Sequence, residues 1–115
     1  KLLRPMLDYH CQDLPYELLF HPINPRKREV IWEDRTVTVE SIPLKHKVPT
    51  CGFLFIEKHR NQEPRKRYAY CSDTVYREQI VEQIHGVDVL YHEATYTERD
   101  LDKCKKHTHN KDSLC

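Results

Sequence analysis

The order of apolar runs along the chain narrows the folds that it can adopt. Residues 29–44 alternate apolar and polar side chains about a polar turn, which predicts a β-hairpin, and residues 51–57 and 67–71 predict two further strands. A helix is predicted over 76–86 and a last strand over 87–91. Because strands come first and then alternate with helices, this order is typical of a mixed α/β arrangement and not of a helical bundle or a pure β-sandwich.

The segments outside this central pattern are less regular. Residues 1–14 are predicted to be an irregular or short helical lead-in, and residues 16–23, which lie between prolines, are predicted to be strand-like. The polar and basic residues 58–66 predict a loop. Residues 97–107 predict a helix that Thr97 caps at its amino end.

The predicted strand over 51–57 is apolar on both of its faces. Phe53 and Phe55 share one face, and Leu54 and Ile56 share the other. A strand of this kind is typical of a sheet that is buried on both sides, so we expect both faces of this strand to be covered.

Charge and composition limit the classes of protein to which the chain can belong. The 19 basic and 18 acidic residues give a net charge of +1, so no overall electrostatic field favours nucleic acid. Basic runs at 25–28, 58–67 and 103–111 are nevertheless suited to a phosphate-facing rim. Two glycines in 115 residues are few for a complete domain with many turns, which suggests part of a larger protein.

The cysteines and the apolar runs bear on the compartment. Five cysteines are widely spaced, and no C-x-x-C pattern occurs. This usage is typical of a reduced, cytoplasmic protein and not of a disulfide framework or a zinc–thiolate site. No stretch of the sequence reaches transmembrane length, and residues 1–10 are too polar for a signal peptide, so no membrane partner is expected.

Three of the predicted strands end in side chains that bind metals or move protons. His46 follows the hairpin, Asp73 follows the strand over 67–71, and His92 and Glu93 follow the last strand. Imidazole nitrogens and carboxylate oxygens are common ligands of Zn²⁺ and Mn²⁺. Because burying an unpaired charge is costly, we expect these side chains to face water, a metal or a substrate.

Each of these residues also has an ordinary structural interpretation. His46 would then be a surface or capping histidine, and Asp73 would cap the helix that begins near Val75. Glu93 would accept a hydrogen bond from a backbone N–H group of the following turn. The occurrence of three such strand ends within one small α/β unit favours a functional site.

Three stretches of the sequence carry a specific resemblance. They are "SIPLKHKVPTCGFLFIE", "YAYCSDTVY" and "VLYHEATY", and in this order they resemble consecutive motifs of ribonuclease Z, the tRNA 3′-processing endonuclease of the metallo-β-lactamase superfamily. The patterns P-L-x-H-x-V-P-x-x-G and H-E-A-T are distinctive of that family, and the resemblance covers residues 15–107. It implies an α/β fold that is part of a metallo-β-lactamase αββα sandwich, with a mixed sheet and flanking helices.

The resemblance also implies roles for individual residues. His46 matches a zinc-binding histidine, and Asp73 matches the carboxylate that bridges two zinc ions, a site that also suits Mn²⁺. Glu93 matches the catalytic glutamate of H-E-A-T, whose histidine partner would be His109 or, by the better local match, His107. Two neighbouring residues are expected to support the site, namely His92 and Thr74.

The substrate that the resemblance implies is precursor tRNA. The enzyme would remove the 3′ trailer by phosphodiester hydrolysis with a metal-activated water, and the intact enzyme would be a homodimer. Residues 58–66 stand where the family's flexible substrate-binding arm emerges, and we interpret them as its remnant. Contacts to RNA are expected from the basic residues in and beside this loop, namely Lys58, Arg60, Arg65 and Lys66.

The resemblance does not extend to every motif of the family. Its H-x-H-x-D-H motif and a late zinc-binding histidine have no match here, so we interpret residues 1–115 as a single partial domain, the carboxyl-terminal half of the fold, and expect it to be inactive by itself. One alternative is another phosphodiesterase of the metallo-β-lactamase fold, which would keep His46 and Asp73 but need no H-E-A-T. The other alternative is a non-catalytic, degenerate domain of that fold.

Overall fold

A five-stranded sheet forms the centre of the computed structural model, which describes residues 3–10, 14–58, 65–94 and 97–100. Two helices and one turn of 3₁₀ helix accompany the sheet. In chain order the elements are α1 (Leu3–His10), β1 (Val30–Glu33), β2 (Val37–Pro43), β3 (Cys51–Glu57), β4 (Arg67–Cys71), α2 (Glu78–Ile84), β5 (Val89–His92) and the 3₁₀ turn (Glu98–Asp100).

The strands lie in the sheet in the order β1–β2–β3–β4–β5. The first four pair antiparallel, and β5 pairs parallel to β4 after the crossover through α2. The expected mixed sheet is therefore confirmed. Because β2, β4 and β5 run in the same direction, their carboxyl ends lie at one edge of the sheet, which we call the carboxyl edge.

One face of the sheet holds the core. Leu54 of β3 and Ala69 of β4 are opposite each other in the register, and both are buried. Helix α2 covers this face with Ile80 at its centre. Each fully buried aliphatic side chain of this kind contributes about 1.5–3 kcal/mol relative to an exposed one. The core consists of Ile42, Leu44, Leu54, Ala69, Cys71 and Ile80.

The opposite face of the sheet, which we call the aromatic face, is largely exposed over β3, β4 and β5 in the part of the chain that the structure describes, whereas Val39 and Ser41 of β2 are buried on it. Phe55 is 38% exposed, and Tyr91 is 64% exposed. The expectation that both faces of β3 are covered is therefore wrong for the described residues, because α2 packs against the core face alone. The large exposed side chains of the aromatic face are Trp32, Phe55, Tyr68, Tyr70 and Tyr91.

Some predicted elements differ from those observed. Residues 16–23 form no strand, so that prediction is wrong: Pro22 has no N–H group for a ladder, and Leu19 and Phe20 stay exposed. The helix predicted over 76–86 is shorter in the structure, where α2 spans Glu78–Ile84. Of the helix predicted over 97–107, the structure describes only Thr97 and the 3₁₀ turn (Glu98–Asp100). Residues 101–107 lie outside the described residues.

The remaining boundaries agree with the sequence. The hairpin, the strands over 51–57 and 67–71, and a short helix in the lead-in are all present. Strand β5 begins at Val89, two residues later than predicted, and ends at His92, one residue later than predicted. Within the described residues, none of the helices has the length and apolar character needed to cross a membrane.

Candidate active site

The chain makes a tight loop where it leaves β2. Residues 44–50 follow Pro43, and the loop is closed by the N–H group of Leu44, which donates to the carbonyl of Thr50 at 3.2 Å. Leu44 packs into the core and so fixes the start of the loop. His46 lies near its middle, half-buried, with its Nδ1 atom shielded from solvent.

Asp73 lies just beyond the end of β4 in an unusual backbone conformation. Its φ angle is +58°, in the left-handed region, which aspartate adopts more readily than most non-glycine residues. The side chain is exposed, and the residue does not cap α2, because that helix begins at Glu78 after Arg77 as its N-cap residue. The capping interpretation of Asp73 is therefore wrong.

Thr74 joins the loop after β2 to the loop after β4. The N–H group of Lys45 donates to Thr74 Oγ1 at 3.1 Å, and the Thr74 hydroxyl donates to the carbonyl of Val75 at 2.9 Å. The N–H group of Val75 donates back to the carbonyl of Lys45 at 3.1 Å. Thr74 is fully buried, so the side of these bonds that it provides is shielded from water, although the bonds themselves are part-buried. They hold the loop of His46 beside the loop of Asp73.

Glu93 joins the end of β5 to the same junction. Its Oε1 accepts the N–H group of Thr74 at 2.6 Å, and its own N–H group donates to the carbonyl of Cys71 at 3.2 Å. The interpretation that Glu93 accepts a backbone N–H group is correct, although the donor belongs to the loop after β4 and not to the following turn. The carboxyl ends of β2, β4 and β5 thus meet at one connected set of hydrogen bonds.

A glycine in β3 allows this close approach. A Cβ atom at Gly52 would lie 2.5 Å from the carbonyl oxygen of Tyr70 and 3.4 Å from Cδ1 of Leu44. Any other residue at this position would push apart β3 and the end of β4. Close packing at the carboxyl edge therefore explains why the P-L-x-H-x-V-P-x-x-G pattern ends in glycine.

His92 is the last residue of β5 and is exposed. Its Nδ1 lies 2.7 Å from the carbonyl oxygen of Glu93. A carbonyl only accepts, so this contact requires a proton on Nδ1 and leaves Nε2 as the outward-facing nitrogen. His92 is thereby oriented by its neighbour and stands beside the junction.

The donor atoms at this edge suit zinc in kind. Imidazole and carboxylate are common zinc ligands, and a zinc ion takes three or four of them from the protein. Among the described residues, no group of three His, Cys, Asp or Glu side chains is close enough together to hold a metal ion. His46 and Asp73 therefore fit as part of a metal site, and its other ligands would have to come from outside the described residues.

Known proteins are similar in sequence to this chain over almost its whole length. The ribonuclease Z of Azobacteroides pseudotrichonymphae is 40% identical over 136 aligned residues, which cover 95% of this chain and 47% of that protein. The ribonuclease Z of Bacteroides fragilis is 36% identical over 152 aligned residues, which cover 95% of this chain and 50% of that protein. This chain is a homologue of ribonuclease Z. It spans about half the length of these relatives.

A solved structure supports the ribonuclease Z assignment at the level of the fold. The crystal structure of the short form of human tRNase Z aligns with a TM-score of 0.54 and 26% identity, covering 72% of this chain and 30% of that one. The expectation that this chain forms part of a metallo-β-lactamase fold is thereby confirmed. No protein-family model matches the chain.

Other residues predicted for a ribonuclease Z site lie away from the junction or outside the described residues. Lys58, Arg65 and Lys66 flank the end of β3 and the start of β4, at the edge opposite the carboxyl edge, and Lys58 is paired with Glu33 at 2.7 Å. Arg60 lies outside the described residues, and so do both candidate histidine partners of the glutamate, His107 and His109.

No sequence pattern indicates which side chains surround the loop of His46. Arg77 lines clefts at this edge, and Tyr76 beside it is 72% exposed. Both fall within the helix predicted over 76–86, where exposed polar and aromatic side chains are ordinary surface residues. Their position two and three residues after the "DT" of the motif is the signal that would have singled them out.

Proposed function

We propose that this chain supplies part of the active site of a zinc-dependent ribonuclease Z that removes the 3′ trailer from precursor tRNA. The observation that carries the proposal is the hydrogen-bonded junction at the carboxyl edge. There Thr74 and Glu93 hold together the three strand ends that bear His46, Asp73 and Glu93. Homology to ribonuclease Z over 95% of the chain supplies the reaction.

His46 and Asp73 are the residues of this chain that would hold metal. The family implies two zinc ions, and Mn²⁺ suits the same donors. When bound, such a pair activates a water molecule and stabilises the in-line displacement at phosphorus. Asp73 has a left-handed backbone and an exposed side chain just beyond β4, so its carboxylate would be available as a ligand.

The other polar residues of the junction would orient the histidine that transfers a proton. Glu93 would orient His109, or else His107, so that the imidazole protonates the 3′ oxygen as it leaves. Thr74 fixes Glu93 through the N–H group that it donates. His92, oriented by the Glu93 carbonyl, would support the same end of β5.

Substrate contacts away from the reaction centre complete the proposal. The Bacteroides alignment runs over 152 positions, more than the 115 residues of this chain, so the relative carries residues within the aligned region that this chain lacks. We assign the missing part to the substrate-binding arm, of which residues 58–66 are the remnant. Within that remnant and beside it, RNA contacts fall to Lys58, Arg60, Arg65 and Lys66.

The assembly and compartment are part of the same proposal. The intact enzyme is proposed to be a homodimer, and sedimentation of that protein tests its size. Among the described residues Cys51 and Cys71 are free, and the proposed compartment is the reducing cytoplasm, where free thiols are usual. The 115-residue chain alone is expected to be inactive, since it offers only two of the metal ligands.

Cleavage of precursor tRNA by the complete reading frame that contains this chain tests the proposed function. The purified protein should bind zinc and release the 3′ trailer. Asp73→Ala should lower the rate by more than about 10⁴-fold, beyond the usual loss of an acid–base group, and should lower the zinc content. Asp8→Ala, which removes an exposed aspartate of α1, is the control and should change neither.

Two results would point to the alternatives. Hydrolysis of bis(p-nitrophenyl) phosphate without any release of the tRNA trailer would indicate a different phosphodiesterase of the same fold. A folded protein that binds no zinc and cleaves neither substrate would indicate a non-catalytic domain. Full activity of Asp73→Ala would show that the assigned metal role is wrong.

A further inference from the structure

Two adjoining clefts at the carboxyl edge each have more cationic than acidic side chains in their lining. The first, of about 290 Å³, lies between the loop of residues 44–50 and Pro25 and includes His46 in its wall. The second adjoins it and shares Lys45 and Arg77 with it. Four cationic side chains line the first cleft, namely Arg26, Lys45, Lys47 and Arg77, and no carboxylate lines it.

These four cations are not neutralised by acidic side chains. Within the described residues, none of them lies within 4.0 Å of a carboxylate, whereas Arg28 is paired with Glu40 at 2.6 Å and Lys58 with Glu33 at 2.7 Å. The guanidinium of Arg77 donates to the amide oxygen of Gln79, which is uncharged and so does not offset the positive charge. Like charges gathered along one cleft repel one another, and an anion that enters relieves that repulsion.

The second cleft adds an exposed aromatic ring. Tyr76 lines it beside Lys45 and Arg77 and is 72% exposed. The one carboxylate in its lining is Glu78. A tyrosine ring flanked by cations is the arrangement on which proteins stack single-stranded bases while holding the adjacent phosphates.

We infer that these two clefts form one groove for single-stranded RNA, with backbone phosphates on the four cations and a base stacked on Tyr76. The inference rests on the proposed function, because His46 lines the first cleft and so connects the groove to the place where the strand is cut. An unpaired strand is favoured over a duplex, since a base can reach the ring only when it is unstacked from its neighbours.

The test uses the 115-residue chain and a fluorescent 12-residue oligouridylate. Binding is measured by fluorescence anisotropy over a series of KCl concentrations, without metal. In single strands each phosphate contact adds about 0.7 to the slope of log K against log salt, so the double variant Arg26→Gln/Arg77→Gln should lower the slope by about 1.4. The control Arg28→Gln/Arg35→Gln removes the same charge outside both clefts and should keep the slope.

Tyrosine variants give a second, independent measurement. Tyr76→Ala should weaken binding by roughly 5- to 150-fold, the range for loss of one stacked base, and Tyr76→Phe should restore it because the ring is kept. Tyr16→Ala, which removes a tyrosine that is 62% exposed and lines neither cleft, should bind as the unaltered chain does. Circular dichroism of each variant confirms that the sheet is intact.

Several outcomes would overturn the groove. These are equal slope changes in the two double variants, full binding by Tyr76→Ala, no binding of oligouridylate by the unaltered chain, or displacement of the RNA by polyglutamate at the same charge concentration. The assay involves no cleavage, so the two proposals fail separately. If oligouridylate binds through the groove but the complete protein is inactive, only the proposed function is wrong. If the complete protein releases the trailer normally but Arg26→Gln/Arg77→Gln leaves the salt slope unchanged, only the groove is wrong.

Discussion

The turn between β1 and β2 and the junction at the carboxyl edge are both held by side-chain hydrogen bonds, but over very different spans of sequence. In the turn, Asp34 Oδ1 accepts the N–H group of Thr36 at 2.6 Å, its hydroxyl at 2.8 Å and the N–H group of Val37 at 2.9 Å. In the junction, Lys45 and Thr74 are 29 residues apart, and Thr74 and Glu93 are 19 apart.

This difference separates stability from function in the molecule. The hydrogen bonds of the turn join residues only two or three positions apart and need no other part of the sheet. Their loss should therefore weaken the hairpin and leave the carboxyl edge unchanged. The junction forms only when β2, β4 and β5 are already assembled, because its partners must be brought together against chain entropy. Changes there should alter the placement of His46, Asp73 and Glu93.

After Asp73→Ala, the largest effect is expected from Glu93 in the complete protein. Glu93→Ala and Glu93→Gln should each slow release of the tRNA trailer by about 10²–10⁴-fold, the usual contribution of acid–base catalysis. Glutamine keeps an oxygen that accepts the N–H group of Thr74 but has no charge, so it separates proton chemistry from positioning. Zinc content and single-turnover cleavage rates are the measurements.

Two results would contradict this role for Glu93. Loss of zinc from Glu93→Ala would mean that the carboxylate acts through Asp73 and the metal. Full activity of Glu93→Gln would mean that it only positions the loop of Thr74. Glu82→Gln, a change of an exposed glutamate of α2, serves as the matched control and should cleave normally.

The residues at the strand ends could be foreseen, and the junction between them could not. His46, Asp73 and Glu93 each lie within three residues of the end of a strand, and the strand–helix–strand order before Glu93 implies a parallel pair. Thr74, in contrast, looks like any threonine after an aspartate. Its partners Lys45 and Glu93 become neighbours only through the register of the sheet, which no local pattern encodes.

The missed strand and the open face have a similar cause. Residues 16–23 have strand-like composition, but a strand also needs a partner with free N–H and C=O groups, and composition does not show one. Phe55 alternates correctly with Leu54, yet whether the second face of a strand is covered depends on another layer. Periodicity indicates which side chains share a face and not what lies on it.

A smaller effect, on stability, is expected from Thr74. Thr74→Val keeps the shape of the side chain but removes the acceptor of the part-buried hydrogen bond from the N–H group of Lys45, which should lower the free energy of unfolding by about 1–3 kcal/mol. Urea unfolding at neutral pH measures the change. Thr74→Ser keeps the hydroxyl and should lose less than Val, so an equal loss in both variants would mean that packing and not hydrogen bonding makes Thr74 important.

The smallest effect is expected at the turn. The hydrogen bonds from Thr36 and Val37 hold the pKa of Asp34 well below its usual range. A carboxyl with a lowered folded-state pKa stabilises the fold fully above its ordinary pKa of about 3.9 and loses that contribution as pH falls. Asp34→Ala should therefore unfold at lower urea than the unaltered chain at pH 7, and the two unfolding midpoints should approach each other toward pH 2.

Asparagine at the same position separates shape from charge. Asp34→Asn keeps an oxygen for the turn and should retain part of the stability at pH 7 while removing the pH dependence. If the midpoint of Asp34→Asn still fell with acid as steeply as that of the unaltered chain, other carboxyl groups would be responsible. Circular dichroism in the near ultraviolet follows Trp32, whose indole N–H group donates to Asp34.

The left-handed backbone at Asp73 restricts which residues evolution can place there. Glycine, asparagine and aspartate adopt a positive φ most readily, and of these only aspartate carries a negative charge. Glutamate offers the charge but is less tolerant of this conformation. The usual acidic exchange is therefore a poor substitute at this position, and a lineage that replaced Asp73 by asparagine or glycine would keep the shape of the loop after its chemistry was lost.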